Sequence, residues 1–163
     1  MRSAFLFKGG QMTRWLPILL CFFLLVGVFG AAHAQFAKPE FAIKYRKSVM
    51  FLIVQHFGRM SAMVNEKGSY NKEAFTDNAM VVETLSRLPW QAFMVPGTDK
   101  GDTTLKSSAF EQPAKFSELA QIFEKQSTDL VLKAKSGDFD AIKMQFGEVG
   151  KSCKACHSQF RSR

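Results

Sequence analysis

Asp138-Phe139-Asp140-Ala141-Ile142-Lys143-Met144-Gln145-Phe146-Gly147-Glu148-Val149-Gly150-Lys151-Ser152-Cys153-Lys154-Ala155-Cys156-His157 is the stretch that decides how this chain reads. Ile142, Phe146, Val149, Cys153 and His157 recur at helical steps, as one stripe of a packed helix would. Asp138 is a good N-cap, so the stretch predicts a helix running to about Phe160. Near its C-terminal end sits a Cys-x-x-Cys-His run, the attachment signature of c-type haem. Two thiols at this spacing can add across the two vinyl groups of one porphyrin, and the histidine that follows is placed to ligate the iron. Cys153 and His157 are i and i+4 and share a face, with Cys156 on the flank. Arg161 is i+4 from His157, and a cation there also complements the helix dipole.

Two other chemistries use such cysteines. Thioredoxin-like sites sit near a βαβ pattern, and none is found here. Structural zinc needs four ligands, and only Cys153, Cys156, His157 and His56 are candidates outside the N-terminal segment. His56 lies six positions after Met50, well round the helix from it, and is read as a flank or surface residue.

Working outward, three more helices are expected. The first opens at Pro39, a favoured first-turn residue, and runs to about Val64. Its stripe is Arg46, Met50, Ile53, Phe57, Met60 and Val64, and Gly68 ends the segment. The second runs from about Asn71 to Arg87, with Phe75, Ala79, Val82 and Leu85 on one face, and Pro89 stops it. A long connection from Leu88 to about Gln112 carries Pro96-Gly97 and Asp99-Lys100-Gly101-Asp102 as turn chemistry. Trp90, Phe93 and Met94 mark that connection as packed rather than a loose tether. The third helix spans about Pro113 to Lys135, with Phe116, Leu119, Phe123, Leu130 and Val131 inward and Gly137 after it. No stretch alternates long enough for a sheet. The expected fold is all-α, an antiparallel four-helix bundle.

The N-terminus reads as a targeting segment. Arg2, Lys8 and Arg14 precede an apolar run from Trp15 to Phe29, and Ala32-His33-Ala34 is a small-x-small cleavage site. Met12 is an alternative start. Residues 1–34 are therefore expected to be a cleaved signal peptide and 35–163 the haem domain. Cleavage would remove Cys21 and leave no disulfide framework; the formal charge would fall from +8 to +5 with the three basic residues gone. So modest a balance, without interleaved aromatics, argues against nucleic acid. Haem of this type is attached after export in bacteria, so the expected address is the periplasm, with no membrane association once the signal is gone. The run Val49-Met50-Phe51-Leu52-Ile53-Val54 is apolar all round, and Phe51 and Leu52 fall away from the stripe. A homodimer built on the first helix is expected to cover them.

Taken together, these residues resemble cytochrome c prime, the four-helix class II cytochromes c. The resemblance spans residues 35–163. It is carried by Gln35-Phe36-Ala37-Lys38-Pro39-Glu40, Tyr45-Arg46, His56-Phe57-Gly58-Arg59-Met60, Leu88-Pro89-Trp90 with Phe93, Phe146-Gly147-Glu148-Val149-Gly150, and Cys153 to His157 with Phe160-Arg161. The segment from Met94 to Ser108 matches least well. The resemblance implies one covalent haem c with high-spin, five-coordinate iron and His157 as proximal ligand. It implies Met50 over the distal position without ligation, Arg46 as a propionate partner, and Arg161 as a proximal-face cation. Trp90 and Phe93 would be aromatic walls. The implied ligands are nitric oxide and carbon monoxide, in a binding protein and not an enzyme, with a redox partner that the sequence does not identify. The alternative is a low-spin electron-transfer protein in which Met50 is a sixth ligand.

Overall fold

The computed structural model describes residue 36 and residues 38–65 and 70–162. The expected signal segment, residues 1–34, lies outside the described residues, as does Gly68. Six helices are described: α1 (Pro39–Asn65), α2 (Lys72–Ser86), α3 (Trp90–Phe93), α4 (Ser108–Glu111), α5 (Pro113–Ser136) and α6 (Phe139–Phe160). The four long ones form the antiparallel bundle. The long connection differs from the expectation in containing α3 and α4, four residues each, too short to leave a helical period in the sequence. Among the described residues, no helix is long and apolar enough to cross a membrane.

Local chemistry sets the helix ends. The Asn71 side chain accepts from Ala74 N–H at 2.8 Å, and that of Asp138 from Ala141 N–H at 3.1 Å, so both caps satisfy a first-turn donor. Gly137 closes α5 at φ +80°, a left-handed conformation that glycine adopts without Cβ strain.

Cross-links fix the antiparallel order. His56 Nδ1 bonds Asn78 Oδ1 at 2.8 Å between α1 and α2. Thr128 and Glu83 meet between α5 and α2, and Gln145 donates to Gln126 Oε1 at 2.6 Å between α6 and α5. The backbones of α1 and α2, α2 and α5, and α5 and α6 pack closely. The first and last helices instead touch through side chains: Phe57 and Phe146 stack at 4.2 Å, nearly parallel.

Two hydrophobic clusters result. The main core takes Val49, Ile53 and Met60 from α1, Phe75 and Val82 from α2, Phe123 and Leu130 from α5, and Ile142 and Val149 from α6. A smaller cluster lies under the connection, built on Leu105, Ala109, Phe116, Leu119 and Phe160. Trp90 packs against both.

Candidate haem site

The two motif cysteines face different surroundings. Half-buried Cys153 packs against the main core, whereas half-buried Cys156 packs against the smaller cluster. Burial pushes both thiols up; Cys156, with Cys153 beside it as a second cause, reaches about 11. Both thiols are therefore neutral near pH 7. His157 is exposed as a residue, but its ring lies close enough to the bundle that burial, and then the Arg161 cation, lower its pKa. Both effects favour the neutral imidazole, the form that binds a metal.

The register between α1 and α6 places Met50. Phe57 lies opposite Phe146, and a Cβ at Gly150 would stand 3.8 Å from Phe57 Cζ. Two turns further along these antiparallel helices, Met50 comes level with Cys153–His157. Met50 is half-buried against the same core as Cys153 and Trp90.

Aromatic rings wall this end of the bundle. Trp90 stacks on Phe93 at 6.0 Å and meets Phe116 and Phe123 edge-on at 6.0 and 6.2 Å. Phe116 continues to Phe160 at 5.3 Å. Trp90 and Phe93 were candidates through the resemblance; Phe116 and Phe123 were visible only as core positions, and Phe160 only as the end of the last helix.

Arg46 is 2% exposed, although its place on the α1 stripe put it at a pocket edge. Its guanidinium lies 4.6 Å over the Phe93 ring and donates to Thr98 Oγ1 (3.1 Å), Thr98 O (2.5 Å) and Thr103 Oγ1 (2.6 Å), with a longer contact to Ala92 O (3.5 Å). All four acceptors are neutral. Burial pulls its pKa down to about 10, with Asp99 opposing from a distance. Thr98 and Thr103 were not singled out in the sequence, and no local signal marks them.

Arg161 departs from the helical placement. It follows the last turn of α6 with an extended backbone, φ −113° and ψ 128°, and pairs with Leu105 in an isolated antiparallel bridge. Its N–H still donates to His157 O at 3.1 Å, the last i→i−4 bond of α6, so it stays one turn beyond the histidine although its own backbone is extended. The zinc set is not assembled: His56 is turned to Asn78, and no three His, Cys, Asp or Glu side chains are grouped for a metal ion among the described residues.

These residues fit a haem. A buried guanidinium with only neutral acceptors is incompletely satisfied, and the buried Trp90 Nε1 has no acceptor among the described residues. Propionate-bearing, largely apolar haem would suit both donors and the aromatic walls, with two thiols and an imidazole in reach on one helix turn.

A haem-attachment motif on the last helix of an antiparallel four-helix bundle marks a class, the bundle-type c cytochromes. The family described as Cytochrome C' matches residues 41–161. The chain is 42% identical over 129 residues to cytochrome c' of Alcaligenes xylosoxydans xylosoxydans, spanning 79% of this chain and 99% of that protein. It is equally 42% identical, over 130 residues, to that of Rubrivivax gelatinosus, covering 79% of this chain and 100% of the relative. A structure of an Alcaligenes xylosoxidans variant with nitric oxide bound superposes with a TM-score of 0.72 at 41% identity, covering 79% of this chain and 100% of that one. A carbon monoxide-bound variant of that protein gives 0.73, at the same identity and coverage. The chain belongs to the cytochrome c prime family.

Proposed function

We propose that this chain is a periplasmic haem protein that binds nitric oxide, and carbon monoxide in the laboratory, at a sterically guarded five-coordinate iron. Residues 1–34 export it, Cys153 and Cys156 hold one haem c by thioether bonds, and His157 is the proximal ligand. The haem supplies an iron able to bind a small gas; the protein supplies access and charge. It is a binder and not an enzyme. What carries the reading is the opposition of the first and last helices, which sets Met50 level with Cys153–His157. One relative, solved as one variant with nitric oxide and another with carbon monoxide, supports it.

Met50 is the guard. Any ligand entering on its side must displace a half-buried apolar side chain, at a cost of about 1.5–3 kcal/mol. That is about a ten- to hundredfold loss of affinity for every such ligand. Its stripe neighbours Ile53 and Phe57 offer no hydrogen-bond donor, so a polar bound dioxygen gains nothing to offset the loss. Ligands with the strongest intrinsic iron bond keep useful affinity, nitric oxide first.

The ferric absorption spectrum of the purified protein tests this. A high-spin spectrum, with haem that stays on a polypeptide beginning at Gln35 after acid–organic extraction, is expected. A low-spin spectrum with a sulphur-to-iron charge-transfer band means that Met50 ligates and the protein carries electrons. Extractable haem, or none, overturns both.

The protein also acts as a homodimer on the α1 face. Phe41, Phe51, Leu52 and Val54 on α1 are 56%, 61%, 44% and 62% exposed, a burden of apolar surface that a partner helix would cover. Sedimentation at micromolar concentration should give a dimer that Leu52→Glu weakens; a strict monomer refutes it.

A further inference from the structure

Thr98 is a threonine with no solvent exposure, in a segment otherwise built of turns. Its hydroxyl lies 3.1 Å from Arg46 Nη1, 3.1 Å from Phe93 O and 2.9 Å from Val95 O. Guanidinium nitrogens only donate and carbonyl oxygens only accept. The direction of the chain is therefore settled: Arg46 donates to Thr98 Oγ1, and the Thr98 proton goes to a carbonyl of the α3 end. The Thr98 carbonyl takes a second bond from Arg46, on Nη2. One residue thus grips the guanidinium twice and, through Val95 O or Phe93 O, anchors on the backbone that follows the ring over which that guanidinium lies. Thr103 adds a third grip and itself accepts from Leu105 N–H at 3.1 Å. Among the described residues, no carboxylate pairs with Arg46. Asp102, on the same segment, is taken by Lys47 at 2.6 Å.

We propose that Thr98 is the positioning residue for Arg46, holding its charge at one place beside the haem and thereby setting the reduction potential. The proposal rests on the haem reading above. A fixed, desolvated cation favours the ferrous state, which carries one positive charge fewer, and it compensates a propionate. A guanidinium released from Thr98 drifts to water, where the same charge counts for less. Thr98 acts through Arg46.

The test compares holoproteins carrying wild-type Thr98, Thr98→Val and Thr98→Ser. Valine keeps the shape and removes the hydroxyl; serine restores it. Thr98→Val should disfavour reduction by about threefold, a drop of about 30 mV in midpoint potential at fixed pH. Thr98→Ser should stay at the wild-type value. In selectively labelled protein, the exchange-protected Arg46 side-chain NMR signals should be lost in the valine variant and kept in the serine one. An unchanged potential in Thr98→Val, or an equal drop in both variants, overturns the proposal. Should Thr98→Val not fold, Thr103→Val on its half-buried neighbour takes its place: a smaller drop of the same sign is expected, and none overturns it. A wild type without haem refutes the haem reading instead. The NMR comparison then decides the positioning role, which is overturned if Arg46 stays protected in Thr98→Val.

Discussion

The main core and the smaller cluster under the connection are held together by different means. The main core is a repeat of one solution: four amphipathic helices, each contributing residues three or four apart, with Phe75, Val82, Leu130 and Ile142 all completely buried. The smaller cluster has a single long helix face in α5, one residue from the end of α6, and pieces of an irregular segment. A polar clasp, Arg46 with Thr98 and Thr103, stands beside it. The main core carries stability, while the clasp and smaller cluster carry position. Because Cys153 packs on one and Cys156 on the other, the haem motif sits on the seam.

Substitutions should separate these roles. Phe75→Ala, in the main core, should cost about 3–5 kcal/mol, seen as a lower denaturant midpoint with little change in the haem spectrum of the folded fraction. A mild loss there would mean the core is less decisive than its packing implies. Next comes Cys156 in the haem-free chain. Burial favours its neutral thiol, so thiolate appears only as pH rises through about 11. Iodoacetamide labelling should climb in that range; a half-maximal rate near the ordinary thiol value of about 8.5 would show that the seam is open to water.

Arg46→Met comes third. It keeps the stem, removes the charge and leaves Thr98 and Thr103 without their donor. Losing hydrogen bonds from a charged group costs about 1.5–3 kcal/mol, offset by relief of a buried charge. The net global change should be about 1 kcal/mol or less, yet amide exchange across residues 94–107 should quicken while α2 stays protected. Equal quickening in both places would erase the distinction between the two regions. The smallest effect belongs to Lys47→Ala. Lys47 and Asp102 are 53% and 92% exposed, so the pair should contribute under about 1 kcal/mol, and thermal unfolding should barely move.

The same contrast governs what the sequence could tell. The four long helices were legible because apolar periodicity, Pro39, Asn71, Asp138 and Gly137 all speak within a few residues of the feature they set. Met50 was legible as a member of the first-helix stripe, while its distal position was given only by the resemblance; the register of α1 against α6 came from the structure. The clasp was not, since Thr98 and Thr103 meet Arg46 across 52 and 57 positions of chain, and a buried threonine looks locally like any turn threonine. The end of α6 at Phe160 was legible too. The bridge from Arg161 to Leu105 was not, since those residues meet across a long stretch of chain and Arg161 is drawn into extended backbone. Phe116 was read as an ordinary core position because its partner, Trp90, arrives from a four-residue helix.

The connecting segment also ties both ends of the fold to one place. Pro39, the first residue of α1, lies within 3.8 Å of where a Cβ on Gly97 would stand. At the other end, Lys106 N–H donates to Phe160 O at 2.9 Å and Ser162 N–H to Thr104 O at 2.8 Å. This gives an order to folding. The hairpins α1–α2 and α5–α6 join neighbours in sequence and close small loops, which is fast. The splice at residues 97–106 closes only when those hairpins have met, after the larger loop entropy has been overcome. The end of the molecule that bears Cys153, Cys156 and His157 is thus the last to assemble, and in native-state fluctuations it is the first to open.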